Sequence, residues 1–448
     1  MKVNTDEKKI QEFLTRGVEN VYPSREEFGK ALKSGKQLTI YNGIDPTGPT
    51  LHIGHGSVLL KLRELQELGH KIILLIGDFT GMIGDPTDKT ATRKKLTRKE
   101  VLANCKNYAK QAGKILDMKK VEIKYNSKWL GKLKFADVLE LASHFTVQQM
   151  ADRDMFKGRL IWKWRCPVCK NISDSPIQFG SIKNFETSRL ENNKNFCPIC
   201  REYRLFSKED VIAPKPVYLH EFLYPLMQGY DSVAMGVDGE VGGNDQTFNM
   251  LVGRHLIKFL KHKEKFVLTT KLLVDPMGKK MGKTEGNVVT LEDSPEEMYG
   301  KVMSWPDTLM RVAYEICTRV PMTKVDYILD GDKRYAKMRL AHEIVAMYYS
   351  EPIALKAEAN FVKIFQKKEA PEEVVEYKVS SSKYKVLDLL TETKLAASKG
   401  EARRLVEQGG VKVGDKIIND INAVVEIPAD GVLVQKGKRH FIRVSFKL

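Results

Sequence analysis

Apolar residues recur at helical spacing between His52 and Leu68, at Val58, Leu59, Leu62, Leu65 and Leu68, which places them on one face of a helix. Short β-branched and aromatic runs flank this stretch, Leu38 to Asn42 before it and Lys71 to Ile76 after it. The first run is joined to the helix by a Gly/Pro-rich loop, Gly43 to Thr50. Strand, long helix and strand in this succession form a βαβ unit and predict a parallel sheet. On the same reasoning, residues 1–36 and 97–160 read as helices, while residues 160–210 break the pattern with Trp, Cys, Asn, Ser and Pro and read as an inserted module. A helix at 217–230, a strand with a Gly-rich turn at 237–243 and a helix to about Lys261 follow. Strands around a Gly/Lys-rich loop are expected over 266–290, and helices over 294–365. A charged linker is expected at 366–383 and a compact tail of two short helices and Val/Ile-rich strands at 384–448, with no internal repeat in the chain.

Composition narrows the classes. The chain has 448 residues, enough for roughly three domains. Its most apolar run, Ile72 to Gly77, is far short of the ~20 residues that cross a bilayer as a helix. The opening residues carry charges throughout and lack a signal-peptide core, so secreted and membrane classes are not expected. Lys plus Arg number 74 against 57 Asp plus Glu, a net charge of +17, which favours a polyanionic partner. Six cysteines are too few for a disulfide scaffold, and four form two Cys-x-x-Cys pairs, as suits a reducing, cytoplasmic setting.

Two constellations carry chemistry. In Gly43-Ile-Asp-Pro-Thr-Gly-Pro-Thr-Leu-His52-Ile-Gly-His55 a Gly-rich loop leaves a strand and enters a helix whose start holds two His three residues apart. Backbone N–H groups and the positive helix end suit a phosphate chain there; taken alone, a turn with two surface His is the commoner meaning. In Asp275-Pro-Met-Gly-Lys279-Lys280-Met-Gly-Lys283-Thr284 two Lys sit three apart on a Gly-flanked loop. They can clamp a triphosphate and follow its charge into the transition state, although a solvated basic loop is the usual identity of such a stretch.

Together, His-Ile-Gly-His and Lys-Met-Gly-Lys-Thr resemble the two signatures of class I aminoacyl-tRNA synthetases. Tyr41-Asn-Gly-Ile-Asp45-Pro-Thr47, Thr80-Gly-Met-Ile-Gly-Asp85-Pro86, Tyr224-Pro-Leu-Met-Gln228-Gly-Tyr-Asp231 and Gly242-Gly-Asn-Asp245-Gln246 further resemble bacterial tyrosyl-tRNA synthetases. The resemblance implies an α/β fold: a Rossmann-like parallel-sheet catalytic domain (1–265, carrying the insertion), the Lys-loop region (266–293), a helical tRNA anticodon-binding domain (294–365) and, after the linker, a small α+β RNA-binding tail (384–448). It implies a tyrosine–tRNA ligase, with L-tyrosine, ATP with Mg²⁺ and tRNA(Tyr) as partners, and a homodimer. Tyr41 and Asp231 would hydrogen-bond the substrate phenol and reject phenylalanine by leaving both unpaired, an effect for which this family is itself the standard example. Asp85, Tyr224 and Gln228 would hold the α-ammonium and Gln246 the carboxyl. Gly43, Asp45 and Gly54 would line the ATP site, Asp245 and His55 would lie at the ribose, and Thr47 and His52 at the γ-phosphate. Lys89, Arg93, Lys280 and Lys283, with Thr284 beside them, would receive the departing pyrophosphate. Glu240 stands where the family pattern leads one to expect Gln, and receives no role.

Cys166-Pro-Val-Cys169 and Cys197-Pro-Ile-Cys200 are separated by 27 residues. Four thiolates so spaced suit a closed, structural Zn²⁺ site better than a redox pair or packed thiols. Residues 160–208 carry nine Lys/Arg against four Asp/Glu, as tRNA contact would favour. In the tail, Lys399, Arg403, Arg404 and Lys412 form a motif resembling an RNA-binding domain shared with a small-subunit ribosomal protein; their alternative is a solvated helical face. Other readings are a tryptophanyl enzyme, a catalytically dead RNA-binding scaffold and a nucleotidyltransferase. Tyr41 with Asp231, the four signature His and Lys, and the tail with the second Lys loop weigh against them in turn.

Overall fold

The computed structural model of the chain describes residues 3–85, 96–151, 156, 159–160, 163–166, 168–174, 194–196, 200, 203–205, 211–212, 217–274, 288–364, 375–437 and 440–446. Residues 1–292 with 311–317 form one unit, and 293–310 with 318–448 a second.

The first unit is organised by a six-stranded sheet. Helix α1 (Glu7–Thr15), strand β1 (Val18–Tyr22) and helix α2 (Arg25–Lys33) open the chain. Strand β2 (Thr39–Ile44), helix α3 (Ile53–Glu67) and strand β3 (Lys71–Ile76) then form the expected βαβ unit. Strand β4 (Val121–Tyr125), helix α4 (Phe135–Ser143), helix α5 (Leu219–Met235), strand β5 (Gly239–Gly243), helix α6 (Thr247–Lys261) and strand β6 (Phe266–Thr270) complete it. The strand order is β1-β6-β5-β2-β3-β4. All neighbours are parallel except β1, which pairs antiparallel with β6. Five of the six residues of β3, from Ile72 to Ile76, are buried, as a strand covered on both faces requires.

Two strands correct the sequence reading. Residues 1–36 are not purely helical, because β1 interrupts them, and β4 interrupts the helices expected over 97–160. Both are edge strands with little continuous apolar character, Val-Glu-Asn-Val-Tyr and Val-Glu-Ile-Lys-Tyr, so a search for helical spacing passes over them.

The insertion contains short antiparallel ladders: Lys163–Arg165 pairs with Ile172–Asp174 and with Val211–Ile212, and Lys194–Phe196 pairs with Tyr203–Leu205. The two hairpins repeat one another at a constant offset of 31 residues, strand for strand and Cys for Cys. This is an internal repeat that the sequence reading missed, since beyond the Cys-Pro-x-Cys core only Lys163 and Lys194 are identical.

In the second unit, helices α7 (Pro295–Met303), α8 (Lys333–Tyr348) and α9 (Glu351–Val362) pack on one another around Tyr299, Leu340, Ile344 and Ala354, all fully buried. The buried His342 ring lies 2.9 Å from both Glu351 and Glu358 and ties α8 to α9. The tail consists of β7 (Val375–Val379), helices α10 (Val386–Glu392) and α11 (Lys399–Glu407), and strands β8 (Val411–Val413), β9 (Lys416–Ile417), β10 (Val432–Lys436) and β11 (His440–Phe446). Its sheet runs β7-β11-β10-β8-β9. Strand β7 lies inside the stretch expected as linker and pairs with the last strand, β11. Its Val-Glu-Tyr-Lys-Val alternation was hidden by the charges that made the stretch look like a linker.

Candidate active site

The sheet reverses its order of connection between β2 and β5: β2 leads to β3 on one side, while β5, its other neighbour, leads to β6. In open parallel sheets the crevice beyond the carboxyl ends of such a strand pair receives the ligand. Beyond β2 comes the loop from Asp45 to Leu51, and beyond β5 comes Asn244-Asp245-Gln246. Asn42 closes the seam by donating to the Val241 carbonyl at 2.9 Å.

Helix α5 supplies one wall. Tyr224, Gln228, Asp231 and Ser232 stand at i, i+4, i+7 and i+8 and therefore share one face. Tyr224 donates from its hydroxyl to Asp45 at 2.8 Å, and Thr80 donates to the other Asp45 oxygen at 2.6 Å. A Cβ on Gly77 would lie 1.9 Å from that Asp45 oxygen, so only glycine permits this approach. Burial, and then the Asp45 charge, push the Tyr224 phenol well above its usual range and keep it a neutral donor.

Asp231 is 2 % exposed and accepts from Trp129 Nε1 at 2.6 Å and from Asn126 Nδ2 at 3.3 Å. Burial raises its pKa well above the usual carboxylate value, against the pull of those two hydrogen bonds. Tyr41 is fully buried beside Ile73, Leu75, Val237 and Trp129, and its hydroxyl lies 2.9 Å from Ser232 Oγ. Burial, followed by the Glu240 and Asp231 charges, raises its pKa as well.

Three amides bridge the rest of the wall. Asn249 Nδ2 donates to Gln228 Oε1 at 2.8 Å and to Gln246 Oε1 at 3.0 Å. Both glutamines thereby direct their amino groups away from Asn249, Gln246 to Asp85 at 2.7 Å and Gln228 toward the buried Glu240 at 3.4 Å. Sequence reasoning missed Asn249, Ser232, Trp129 and Lys265. Asn249 had a signal, three residues past Gln246 on one helical face; a single Lys ahead of a strand had none.

At the phosphate side, His52 caps α3 and accepts from Gly54 N–H through Nδ1 at 3.2 Å. His55 Nδ1 accepts from His52 N–H at 3.1 Å, and the two rings lie 3.9 Å apart between centroids. Each Nδ1 is thus an acceptor, which assigns the proton of the neutral ring to Nε2. Gly54 sits where a Cβ would meet the His52 ring at 3.0 Å. Leu51 and Ile53 on either side of His52 are bonded to Leu291 and Val289 at 2.8 and 2.9 Å, so the chain returning from the Lys loop is stitched to the His motif. Gly43 near the end of β2, Thr47 in the loop after it and Asp245 in the turn after β5 border the same crevice. Lys89, Arg93, Lys280, Lys283 and Thr284, and also Cys197, lie outside the described residues.

Cys166, Cys169 and Cys200 bring their Sγ atoms within 4.8 Å of one another, with Cys166 and Cys200 3.7 Å apart. Tetrahedral thiolates at ~2.3 Å from Zn²⁺ stand about 3.8 Å apart, so these three fit that ion. Lys399, Arg403 and Arg404 are exposed on α11, Lys399 pairs with Asp388 at 2.5 Å, and Lys412 is half-buried on β8. Among the described residues no helix is long and apolar enough to cross a membrane.

The family model for class I tRNA synthetases of the tryptophan and tyrosine type matches residues 33–167 and 198–366, and that for the SYY-like C-terminal domain of tyrosine–tRNA ligases matches 366–444. The tyrosine–tRNA ligase of Moorella thermoacetica is 40% identical over 96% of this chain and 94% of its own. That of Thermotoga maritima is 39% identical over 98% of both. Among solved structures, a C-terminally truncated mitochondrial tyrosyl-tRNA synthetase of Aspergillus nidulans superposes with a TM-score of 0.57 at 20% identity, covering 80% of this chain and 94% of its own. The pocket between β2 and β5, the His-capped helix beside it and full-length similarity agree: the chain belongs to the tyrosyl branch of the class I tRNA synthetases.

Proposed function

We propose that this tyrosine–tRNA ligase binds L-tyrosine in the crevice beyond β2 and β5, with the phenol between Tyr41 and Asp231 and the amino-acid end at Asp85, Tyr224, Gln228 and Gln246. The observation that carries this reading is the chain of hydrogen bonds running along the wall from Gln228 through Asn249 and Gln246 to Asp85, since it ends in a carboxylate suited to an ammonium ion. The tyrosine carboxylate attacks the α-phosphorus of ATP in line, giving tyrosyl-AMP and pyrophosphate. A terminal ribose hydroxyl of tRNA(Tyr) then takes the tyrosyl group. No general base is needed in the first step; positioning and charge stabilisation suffice. His52 with Thr47 faces the γ-phosphate and His55 with Asp245 the ribose, while Gly43, Asp45 and Gly54 let the nucleotide approach. Lys89, Arg93, Lys280 and Lys283, with Thr284, take up the pyrophosphate charge. Mg²⁺ travels with ATP on phosphate oxygens.

Purified protein should exchange labelled pyrophosphate into ATP with tyrosine and far less with phenylalanine or tryptophan; no tyrosine-dependent exchange would sink the reading. Lys283→Ala should slow activation by ~10²-fold with tyrosine binding nearly intact, and an equal loss of binding would contradict its phosphate role.

The four cysteines, Cys197 included, would hold one structural Zn²⁺. Residues 294–365 are read as the anticodon-binding domain and the tail as an RNA-binding domain acting through Lys399, Arg403, Arg404 and Lys412. The place of work is the cytoplasm. A homodimer is supported by an apolar surface on α4, where Phe135 and Leu139 are 76% and 55% exposed one turn apart. That surface continues toward Phe259, 56% exposed and tilted against the His144 ring at 4.3 Å between centroids. Patches of this kind mark association surfaces. Phe135→Asp with Leu139→Asp should convert a dimer to a monomer in light scattering; an unchanged mass would place the contact elsewhere.

A further inference from the structure

One buried pair has no part in the roles above. Lys265, just before β6, is 0% exposed, and Glu240 on β5 is 4% exposed; the two form an ion pair beneath the pocket. A buried ion pair contributes little stability over an apolar pair of similar volume, so its presence is better explained by what it orients. We propose that the Lys265–Glu240 pair polarises a hydrogen-bond chain from Lys265 through Ser232 to Tyr41, so that Tyr41 presents its proton to the phenol oxygen of the substrate. The inference deepens the tyrosine-site reading and rests on Tyr41 facing the phenol.

The direction of the chain follows from donor and acceptor chemistry. An ammonium group has three protons and no lone pair. Lys265 Nζ directs them to Ser232 Oγ at 2.7 Å, to the Met250 carbonyl at 3.2 Å and to Glu240. Ser232 Oγ therefore accepts from a cation, which makes its own O–H a stronger donor. Tyr41 lies 2.9 Å from that oxygen. If Ser232 donates to Tyr41, the Tyr41 proton is released for the substrate. The phenol oxygen accepts it and the phenol O–H in turn donates a hydrogen bond to the Asp231 carboxyl, whose oxygens already accept from Trp129 and Asn126.

Glu240 explains why a charge is needed. Its carboxylate is among the causes raising the Tyr41 pKa, and if unbalanced it would capture the Tyr41 proton and turn the hydroxyl from the pocket. Lys265 neutralises it, and Gln228, 3.4 Å away, lies on its other oxygen. The space is kept open by Gly253, where a Cβ would lie 2.7 Å from Lys265 Nζ and 2.8 Å from Ser232 Oγ. The ammonium also sits 5.4 Å from the Tyr41 ring centroid.

The test compares kcat/KM for tyrosine and for phenylalanine in pyrophosphate exchange, using full-length protein whose folding is checked by thermal melting. Lys265→Gln should reduce the tyrosine-to-phenylalanine ratio ~10-fold or more through loss on tyrosine alone. Adding Glu240→Gln, which removes the competing charge and leaves an amide to donate to Ser232, should restore the ratio to within about threefold. In a Tyr41→Phe background, Lys265→Gln should have no further effect on the ratio. An unchanged ratio in Lys265→Gln, an equal fall for both amino acids, or a full effect without the Tyr41 hydroxyl would each overturn the inference. If Tyr41→Phe itself leaves the ratio unchanged, the tyrosine-site reading has failed, and this inference with it.

Discussion

Asp231→Asn is expected to lower kcat/KM for tyrosine activation by about 10²- to 10³-fold and to make the ligand-free protein more stable. The functional loss follows from replacing a carboxyl acceptor by an amide that meets the phenol with a weaker acceptor or with a competing donor; losing that hydrogen bond and stranding its partner costs ~3–4 kcal/mol. The gain in stability has the opposite origin. Burial raises the Asp231 pKa well above 3.8, so the folded chain holds a proton that the unfolded chain releases. Stability is therefore lost as pH rises from about 4 through the raised pKa. Asn carries no such cost and still accepts from Trp129. The gain should thus be near zero at pH 3.5–4 and grow towards neutral pH, reaching about 1 kcal/mol or more. Melting curves at both ends of that range decide the matter. A variant that is destabilised at pH 8, or that loses phenylalanine activation as severely as tyrosine activation, would show Asp231 to be a structural anchor.

Removal of the Zn²⁺ proposed at the cysteines should have the largest energetic effect and a small catalytic one. Structural Zn²⁺ in small modules contributes ~10–16 kcal/mol of apparent binding energy at neutral pH, and that energy is folding energy. Each hairpin of the insertion has strands of only three residues, and among the described residues its buried cluster is formed by cysteines. Without the ion, little holds the two hairpins together. A chelator, or Cys166→Ser, is expected to release about one equivalent of zinc and open residues 163–212 to protease. Tyrosine-dependent pyrophosphate exchange should stay within about threefold of the original rate, because Tyr41, Gln228 and Asp231 are carried by the main sheet and α5. Full retention of zinc in Cys166→Ser would overturn the ligand set. Loss of exchange in step with zinc would show that the insertion supports the pocket itself.

The interior of the sheet and the pocket face of α5 were legible because their sequences leave few alternatives. A short, β-branched apolar run such as Ile72 to Ile76, directly after a long helix, suits a buried parallel strand, and Tyr224, Gln228 and Asp231 share a helical face by spacing alone. What escaped was edge and context. Strands β1, β4 and β7 are half polar because one side meets solvent, which reduces them to short alternations among charges. Lys265 escaped for a different reason: a lysine in sequence looks like surface, and only pairing with Glu240 across two neighbouring strands makes its burial tolerable. The position of Glu240 was noticed as a departure, but its meaning depended on that partner.

The two backbone bonds joining Leu51 and Ile53 to Leu291 and Val289 act as a clasp on the ends of a span of more than two hundred residues that includes most of the sheet. Within that span the insertion sits in the connection between α4 and α5, and lengthening a connection is thermodynamically cheap, since even doubling a flexible loop adds only about 0.6 kcal/mol of closure entropy. The family model passes over residues 168–197, inside this clasped span. A cysteine-bearing insertion was therefore free to grow at that point while the His and Lys motifs stayed in register, and the same point, outside the elements that carry Tyr224, Gln228 and Asp231, is where further domains can be grafted.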